Sequence, residues 1–348
     1  MQVLERSDEL AEIAQSLQRS GNRVGLVPTM GFLHRGHLSL VERARTECDS
    51  VVVTIFVNPL QFGEGEDFDV YPRDVQGDLT KLEDAGVDFV FVPTVEQMYP
   101  EPVAAGVSGA TATTVLVRGI SELWEGASRP GHFEGVATVV AKLFALVGRC
   151  RAYFGDKDYQ QLLLIRRMAR DLLFPVEVVG CSTIREPDGL ALSSRNVRLS
   201  GPERRAACVL SRALSDGARD VQSGETQPHS VVEKMQRIVL GEPLASLEYA
   251  AAVDAWTLEV PEKLVGDVRL IIAARVGSVR LIDNVGVIAP TTAEVSRIQQ
   301  GTFGVCSVED RELEPVEATV LVGVGQAGEQ ASGVAGVKSN HQVNRQER

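Results

Sequence analysis

The sequence predicts an α/β chain, a doubly wound parallel sheet followed by a smaller α+β domain. Three observations carry the prediction. Through the first half, short apolar runs alternate with segments whose apolar residues recur at helical spacing. The run Val51-Val52-Val53-Thr54-Ile55-Phe56-Val57 shows no polar alternation, as expected of a parallel strand covered on both faces. The turns richest in chemistry follow strands, and open parallel sheets bind ligands at the carboxyl ends of their strands.

The elements follow in order. Residues 9–17 place Leu10, Ile13 and Leu17 on one helical face, and 24–27 are a short buried strand. A helix starts near His37 and turns Leu38, Val41, Ala44 and Cys48 inward. The strand at 51–57 is closed by Asn58-Pro59. Residues 77–85 read as a helix and 87–92 as a strand stopped by Pro93. Residues 135–147 form an apolar-faced helix through Val136, Val139, Val140, Leu143 and Leu146. A strand at 151–154, a helix at 158–172 and a strand at 176–179 complete the alternation. Beyond Cys181 come a polar loop region at 182–199, a helix at 202–223, and strands at 247–253, 267–274 and 279–284. The expected division is 1–181, 182–288 and an extension at 289–348. From 323 the extension is rich in Gly, Gln, Ser and Asn without an aromatic, a composition of disorder.

Bulk properties narrow the function. The chain has 348 residues, 44% of them hydrophobic, enough for about two domains with proper cores. Acids outnumber bases 47 to 35, and a net charge of −12 argues against an extended nucleic-acid surface. It leaves room for a local basic pocket. The five cysteines form no Cys-x-x-Cys pair and read as buried free thiols. The first residues lack a signal-peptide core, and no run of about 18 apolar residues is present. A cytoplasmic protein without a membrane span is expected.

Four segments carry the chemistry. In Met30-Gly31-Phe32-Leu33-His34-Arg35-Gly36-His37, two of the chain's five histidines sit where a strand hands over to a helix. Unpaired N–H groups and the positive dipole end suit a phosphate there. From the turn alone a metal or structural role stays open, although no third ligand follows at metal spacing. Asn58-Pro59-Leu60-Gln61-Phe62 presents amides at a strand end, which an ordinary loop would also do. In Gly155-Asp156-Lys157-Asp158, Lys157 is placed to reach a phosphate as a point charge, or the segment is a solvated helix start. Leu192-Ser193-Ser194-Arg195 groups two hydroxyls with a guanidinium, an anion-gripping set that is weak by itself.

Together the segments are specific. His34-Arg35-Gly36-His37 resembles the His-x-Gly-His signature of the adenylyl-transferring superfamily that includes class I aminoacyl-tRNA synthetases, and Leu192–Arg195 resembles its partner serine-and-basic loop. Pro-Thr-Met-Gly at 28–31, Asn-Pro-x-Gln-Phe at 58–62, Tyr-Pro-Arg at 71–73, Arg-Pro-Gly-His-Phe at 129–133, Gly-Asp-Lys-Asp-Tyr-Gln-Gln at 155–161 and Arg-Glu-Pro-Asp-Gly-Leu at 185–190 narrow the match. Over about residues 20–285 the chain resembles the pantothenate synthetase family.

The resemblance implies a Rossmann-like sheet and ATP-dependent joining of pantoate to β-alanine through a pantoyl adenylate. It implies catalytic roles for His34, His37, Lys157, Ser193, Ser194 and Arg195, with proton donation by His37. ATP is expected on Met30 to His37, on Gly155 to Asp158, and on Leu192 to Arg195, with Ile184 near the adenine. Gln61 and Gln161 are expected on pantoate, Gln61 also on β-alanine, and Pro28, Met30 and Phe56 around pantoate's methyl groups. His132 is expected in support. Mg²⁺ is expected through the triphosphate, with Asp78 as its protein contact, and the assembly as a homodimer. Leu192 replaces the usual methionine, a swap that keeps shape. Gly77 replaces an acid that often precedes Asp78, which bears on any metal role there. The extension from 289 has no counterpart in the usual family length.

Overall fold

The computed structural model describes residues 1–63, 65–100, 111–291 and 294. Its first sheet is built from β1 (Gln2–Leu4), β2 (Val24–Thr29), β3 (Ser50–Ile55), β4 (Phe89–Phe91), β5 (Cys150–Gly155) and β6 (Val176–Cys181). All neighbours are parallel, in the order β1-β4-β3-β2-β5-β6. Every residue of β3 is buried, as its unbroken apolar run requires.

Helices cover both faces. They are α1 (Ser7–Arg19), α2 (Arg35–Glu47), α3 (Val75–Asp84), α4 (Val95–Met98), α5 (Trp124–Ser128), α6 (His132–Val147) and α7 (Tyr159–Asp171). One core lies under α1, α6 and α7, and a second lies between α2, α3 and the opposite sheet face. Helix α6 is nearly all apolar and is correspondingly sunk into the first core: Phe133, Val136, Val140, Leu143 and Phe144 are buried, and Gly148 ends the helix with a positive φ.

The strand order places the reversal between β2 and β5. Chain order runs outward from β2 through β3 to β4, then returns to β5 on the other side of β2. The ladder between β2 and β5 stops at Leu26↔Ala152, three residues short of the strand ends at Thr29 and Gly155. The crevice at this reversal is where an open α/β sheet accepts a ligand.

The second sheet is antiparallel, β7 (Ala245–Asp254), β8 (Gly266–Val276) and β9 (Val279–Ala289), in sequence order. On one face lie α8 (Gly201–Ala206), α9 (Cys208–Gln222) and α10 (Pro228–Leu240), which bury Leu210, Leu214, Val231 and Met235 against Leu270 and Ile272. On the other face Ala251, Val253, Leu258 and Ile271 pack with Leu163 of α7.

The helix expected at 202–223 is therefore two, α8 and α9, with Ala207 between them. The sequence reading passed over α10, whose Pro228, Val231, Met235 and Val239 are the buried stripe. The three strands of the small sheet are each longer than expected, and β9 runs to Ala289, one residue past the division at 288. Among the described cysteines Cys48, Cys150 and Cys181 are buried and Cys208 is half-buried, all as free thiols. The composition-based reading of 323–348 falls outside the described residues.

Candidate active site

Three strand ends meet at one cavity of about 530 Å³. From β2 it receives Met30, His34, Gly36 and His37; from β3, Phe56 and Gln61; from β5, Gly155, Lys157, Asp158 and Gln161. The loop after β6 closes the opposite wall with Ile184, Leu192, Ser193, Ser194 and Arg195. Pro28, Met30 and Phe56 form an apolar part of the lining, with Val139, Val140 and Leu143 of α6 behind them. Gly31, Phe32, Leu33, Arg35 and Asp156 do not line the cavity; Arg35 faces solvent.

The turn after β2 has its own internal scaffold. Gly31 has φ +80°, and a side chain there would come within about 3.1 Å of Ile55 and Asp78, so glycine is required twice over. Asp78, fully buried in the first turn of α3, accepts from the Phe32 N–H at 2.6 Å and the Leu33 N–H at 2.7 Å, and pairs with Lys81 at 3.3 Å. Both its oxygens are thus spent on the turn and on Lys81. Among the described residues no group of three or more His, Cys, Asp or Glu is arranged to hold a metal. Asp78, expected as a metal contact, has its carboxylate engaged by the strand-to-helix turn and by Lys81.

Helix α2 is capped by the histidines themselves. The His34 ring Nδ1 accepts from the Gly36 N–H at 3.1 Å, and the His37 ring Nδ1 accepts from the His34 N–H at 3.4 Å. This is a capping box in which imidazoles replace the usual hydroxyl and carboxylate. It also fixes the chemistry of the rings, which stack with centroids 4.1 Å apart. With Nδ1 accepting, the neutral ring carries its proton on Nε2. Burial, then the charge of Lys157, lowers the His34 pKa to about 4. Burial, then His34, lowers that of His37 to about 3. At neutral pH both are uncharged donors rather than cations.

Gln61 is buried at the end of the 3₁₀ turn Pro59–Gln61. Its Oε1 accepts from Asn58 Nδ2 at 3.2 Å, and its Nε2 lies 2.9 Å from Met30 Sδ. Asn58 is held in turn by the Gly135 carbonyl at 3.0 Å and the Tyr99 hydroxyl at 2.8 Å. Gly135 of α6 permits this, because a Cβ there would stand 2.3 Å from the Leu60 carbonyl oxygen. His132 supports the same turn. Its Nε2 accepts from Arg129 at 3.0 Å, so its Nδ1 donates to the Gln61 carbonyl at 2.8 Å. That is the opposite tautomer from His34 and His37. Burial, then Arg129, lowers the His132 pKa to about 4.

The loop after β6 is docked across the opening. Ser194 Oγ donates to the Phe32 carbonyl at 3.3 Å, and Arg195 makes a fork on Asp67 at 2.8 and 2.9 Å. Arg198 joins the same carboxylate at 2.7 Å. The hydrogen bond and charge of Arg195 outweigh burial and hold Asp67 below the usual carboxylate range.

Several cavity residues escaped the sequence reading. Glu125 is buried and bound by both guanidinium nitrogens of Arg280 at 2.6 and 2.9 Å, with the Tyr249 hydroxyl at 3.1 Å. Burial pushes Glu125 upward, but Arg280 outweighs it and the net shift is down. Asp283 and Asn284, buried in β9, also line the cavity. Acids and amides inside an apolar strand are a legible signal, but several of their partners lie about 100 residues or more away in sequence, as with Arg185 to Asp283 and Arg280 to Glu125.

Known proteins are similar to this chain in sequence and fold. The family model described as pantoate-beta-alanine ligase matches residues 2–286. The pantothenate synthetase of Rubrobacter xylanophilus is 54% identical over 284 residues, covering 81% of this chain and 97% of that protein. The crystal structure of pantothenate synthetase from Thermus thermophilus superposes with a TM-score of 0.75 at 51% identity, covering 82% of this chain and 99% of that one. The Francisella tularensis pantoate-beta-alanine ligase, solved with beta-gamma ATP and beta-alanine, gives 0.67 at 32% identity, covering 82% and 97%. With matched length, sequence and fold in agreement, the chain belongs to the pantoate–β-alanine ligase family.

Proposed function

We propose that this chain condenses pantoate with β-alanine, using ATP and releasing AMP and pyrophosphate. A carboxylate is a poor electrophile, so amide formation requires its activation. In this scheme the pantoate carboxylate attacks the α-phosphorus of ATP and pyrophosphate leaves. The β-alanine amine then attacks the acyl carbon and AMP leaves. The Francisella relative, solved with beta-gamma ATP and beta-alanine, supports ATP and β-alanine as ligands for this cavity.

The observation that carries the reading is that one cavity holds both halves of the chemistry. Its lining includes candidate phosphate donors, His34, His37, Lys157, Ser193, Ser194 and Arg195. The same lining includes the Gln61 and Gln161 amides and the apolar Pro28, Met30 and Phe56, groups suited to a hydroxy acid with a dimethyl carbon. Phosphoryl-type transfer needs mainly positioning and stabilisation of developing charge. Neutral Nε2–H donors of His34 and His37 supply hydrogen bonds without a cation's desolvation cost, and Lys157 and Arg195 supply the charge. The proton-donor role of His37 is thereby recast as hydrogen-bond donation from a neutral ring.

Ser194 and Arg195 hold Phe32 and Asp67 in the structure. In this reading they exchange those partners for the nucleotide's phosphates, while Ile184 and Leu192 flank the base. Magnesium arrives on the triphosphate as part of the substrate. Keeping the acyl adenylate from water is the task of the loop that carries Ser193–Arg195, which Arg198 holds to Asp67. A homodimer in the cytoplasm completes the proposal. Among the described residues no helix is long and apolar enough to cross a membrane.

The test is AMP release from ATP by the purified chain. AMP should form only with pantoate and β-alanine together, and ATP–pyrophosphate exchange with pantoate alone. Exchange that proceeds without pantoate would overturn the reading. Sedimentation velocity reads the assembly, and a monomer at micromolar concentration would remove the dimer.

A further inference from the structure

The turn that carries Lys157 is held from the other sheet. The 3₁₀ turn Asp156–Asp158 has no side-chain cap, and neither does α7, which follows it. Asn284, buried on β9, holds the turn by its carbonyls instead. Its Nδ2 donates to the Asp156 carbonyl at 3.0 Å and to the Lys157 carbonyl at 2.8 Å. Its Oδ1 accepts from Arg269 Nε at 2.8 Å, and the Arg269 guanidinium lies 3.7 Å over the Tyr159 ring. The amide cannot flip without setting oxygen against two carbonyls and an NH₂ against a guanidinium.

The neighbouring residue, Asp283, takes a fork from Arg185 at 2.6 and 2.9 Å, and Arg185 also donates to the Asn284 and Gly189 carbonyls at 3.2 and 3.0 Å. Two adjacent residues of one strand thus reach the Lys157 turn and the start of the loop that leads to Ser193–Arg195. A buried amide with every bond made is costly to misplace, so it specifies one backbone position.

We propose that Asn284 is a positioning residue that sets Lys157 for the nucleotide's phosphates. The proposal rests on the reading of Lys157 as an ATP contact. Lys157 bears its charge on a long flexible stem, and fixing its backbone is what narrows where that charge can go.

The experiment is a double-mutant cycle in the complete chain, read as KM for ATP, pantoate and β-alanine, with thermal melts alongside. Asn284→Ala removes two donor bonds and should raise the ATP KM roughly tenfold, leaving the KM for pantoate and β-alanine within about twofold. Asn284→Asp should do more, because it sets a carboxylate against the Asp156 and Lys157 carbonyls. In a Lys157→Ala background Asn284→Ala should add little further loss. Full additivity, or equal increases in all three KM values, would overturn the inference. If Lys157→Ala weakens ATP and Asn284→Ala does not, the inference fails and the site reading stands. If Lys157→Ala itself leaves ATP unaffected, the site reading fails and takes the inference with it. Should Asn284→Ala melt before assay, Arg269→Lys serves. It removes the guanidinium whose Nε–H orients the amide while keeping the charge, and an unchanged ATP KM there refutes the proposal.

Discussion

Three neutral histidines, His132 buried and His34 and His37 half-buried, make stability a steep function of pH, and the size follows from their surroundings. His34, His37 and His132 have pKa values lowered from about 6.5 to about 4, 3 and 4, with burial the first cause in each. In the unfolded chain each titrates near 6.5. A pKa depressed on folding means that the unfolded state binds more protons in between. Stability is then fully present above about pH 6.5 and is lost as pH falls toward 4. At pH 5.5 each unfolded ring is roughly nine-tenths protonated and each folded ring almost none, so unfolding takes up close to three protons. The slope is about 4 kcal/mol per pH unit. From pH 6.5 to 5 the integral is about 5 kcal/mol, trimmed to ~3–4 kcal/mol because solvent reaches His34 through the cavity. That is a large part of a domain's total stability of roughly 5–15 kcal/mol.

Urea unfolding at pH 7.5, 6.5, 5.5 and 5.0 measures this directly. His132→Asn is the informative variant, because its amide can still donate to the Gln61 carbonyl but does not titrate. It should reduce the slope between pH 5 and 6.5 by about one third. Carboxylates lowered by their partners, such as Asp67 and Glu125, act with the same sign but mostly at lower pH. A flat stability from pH 5 to 6.5, or a slope untouched by His132→Asn, would refute the assignment of neutral rings.

Other substitutions separate roles that the geometry suggests. Asp78→Asn keeps shape but turns one acceptor into a donor facing a backbone N–H, and should cost about 2–4 kcal/mol in urea unfolding. Its lost activity should not return with excess Mg²⁺, whereas rescue would restore a metal role. Gly135→Ala drives a methyl against the Leu60 carbonyl, costs about 1–3 kcal/mol, and should raise the KM for pantoate more than that for ATP. His37→Ala should lower kcat by roughly 10²–10³, the scale of losing one charge-stabilising donor, and a near-normal rate removes it from that role. Asp67→Asn frees Arg195 from a competing carboxylate, so the dissociation constant for ATP should fall about threefold or more, on the scale of a half-buried pair. Weaker ATP binding in that variant would mean that Asp67 holds the loop in place rather than competing for it.

Legibility followed the range of the interaction. The strand at 50–55 and the histidine turn after β2 were readable because they depend on neighbours in sequence: an unbroken β-branched run, and a strand ending in glycine and histidine before a helical stripe. Even the reversal of strand order fits, since the two phosphate-suited turns flank it after β2 and β5. Helix α10 was readable and was missed; Val231, Met235 and Val239 recur at four residues, but the segment carries no chemical motif. The histidine tautomers were not readable, because they depend on which backbone N–H each ring meets. Nor was the role of Asp78, whose place beneath the Phe32 and Leu33 amides is fixed by the packing of α3 against the sheet.

The same distinction explains where function is exposed to change. His34, His37, Lys157 and Ser193–Arg195 arise from three segments; the histidine rings are set by bonds within their own segment, but the turns that carry them and Lys157 are held from across the fold. The β2 turn hangs on Asp78, the Gln61 turn on Asn58, His132 and Gly135, and the Lys157 turn on Asn284. Each support is a polar group that is buried or half-buried, with its hydrogen bonds made across the fold. A site built this way keeps its motif under substitutions that destroy its geometry. A relative that retains both histidines but lacks an amide at the position of Asn284 should therefore bind ATP more weakly than its motif suggests, and restoring that one amide should recover the affinity without any change in the residues that face the nucleotide.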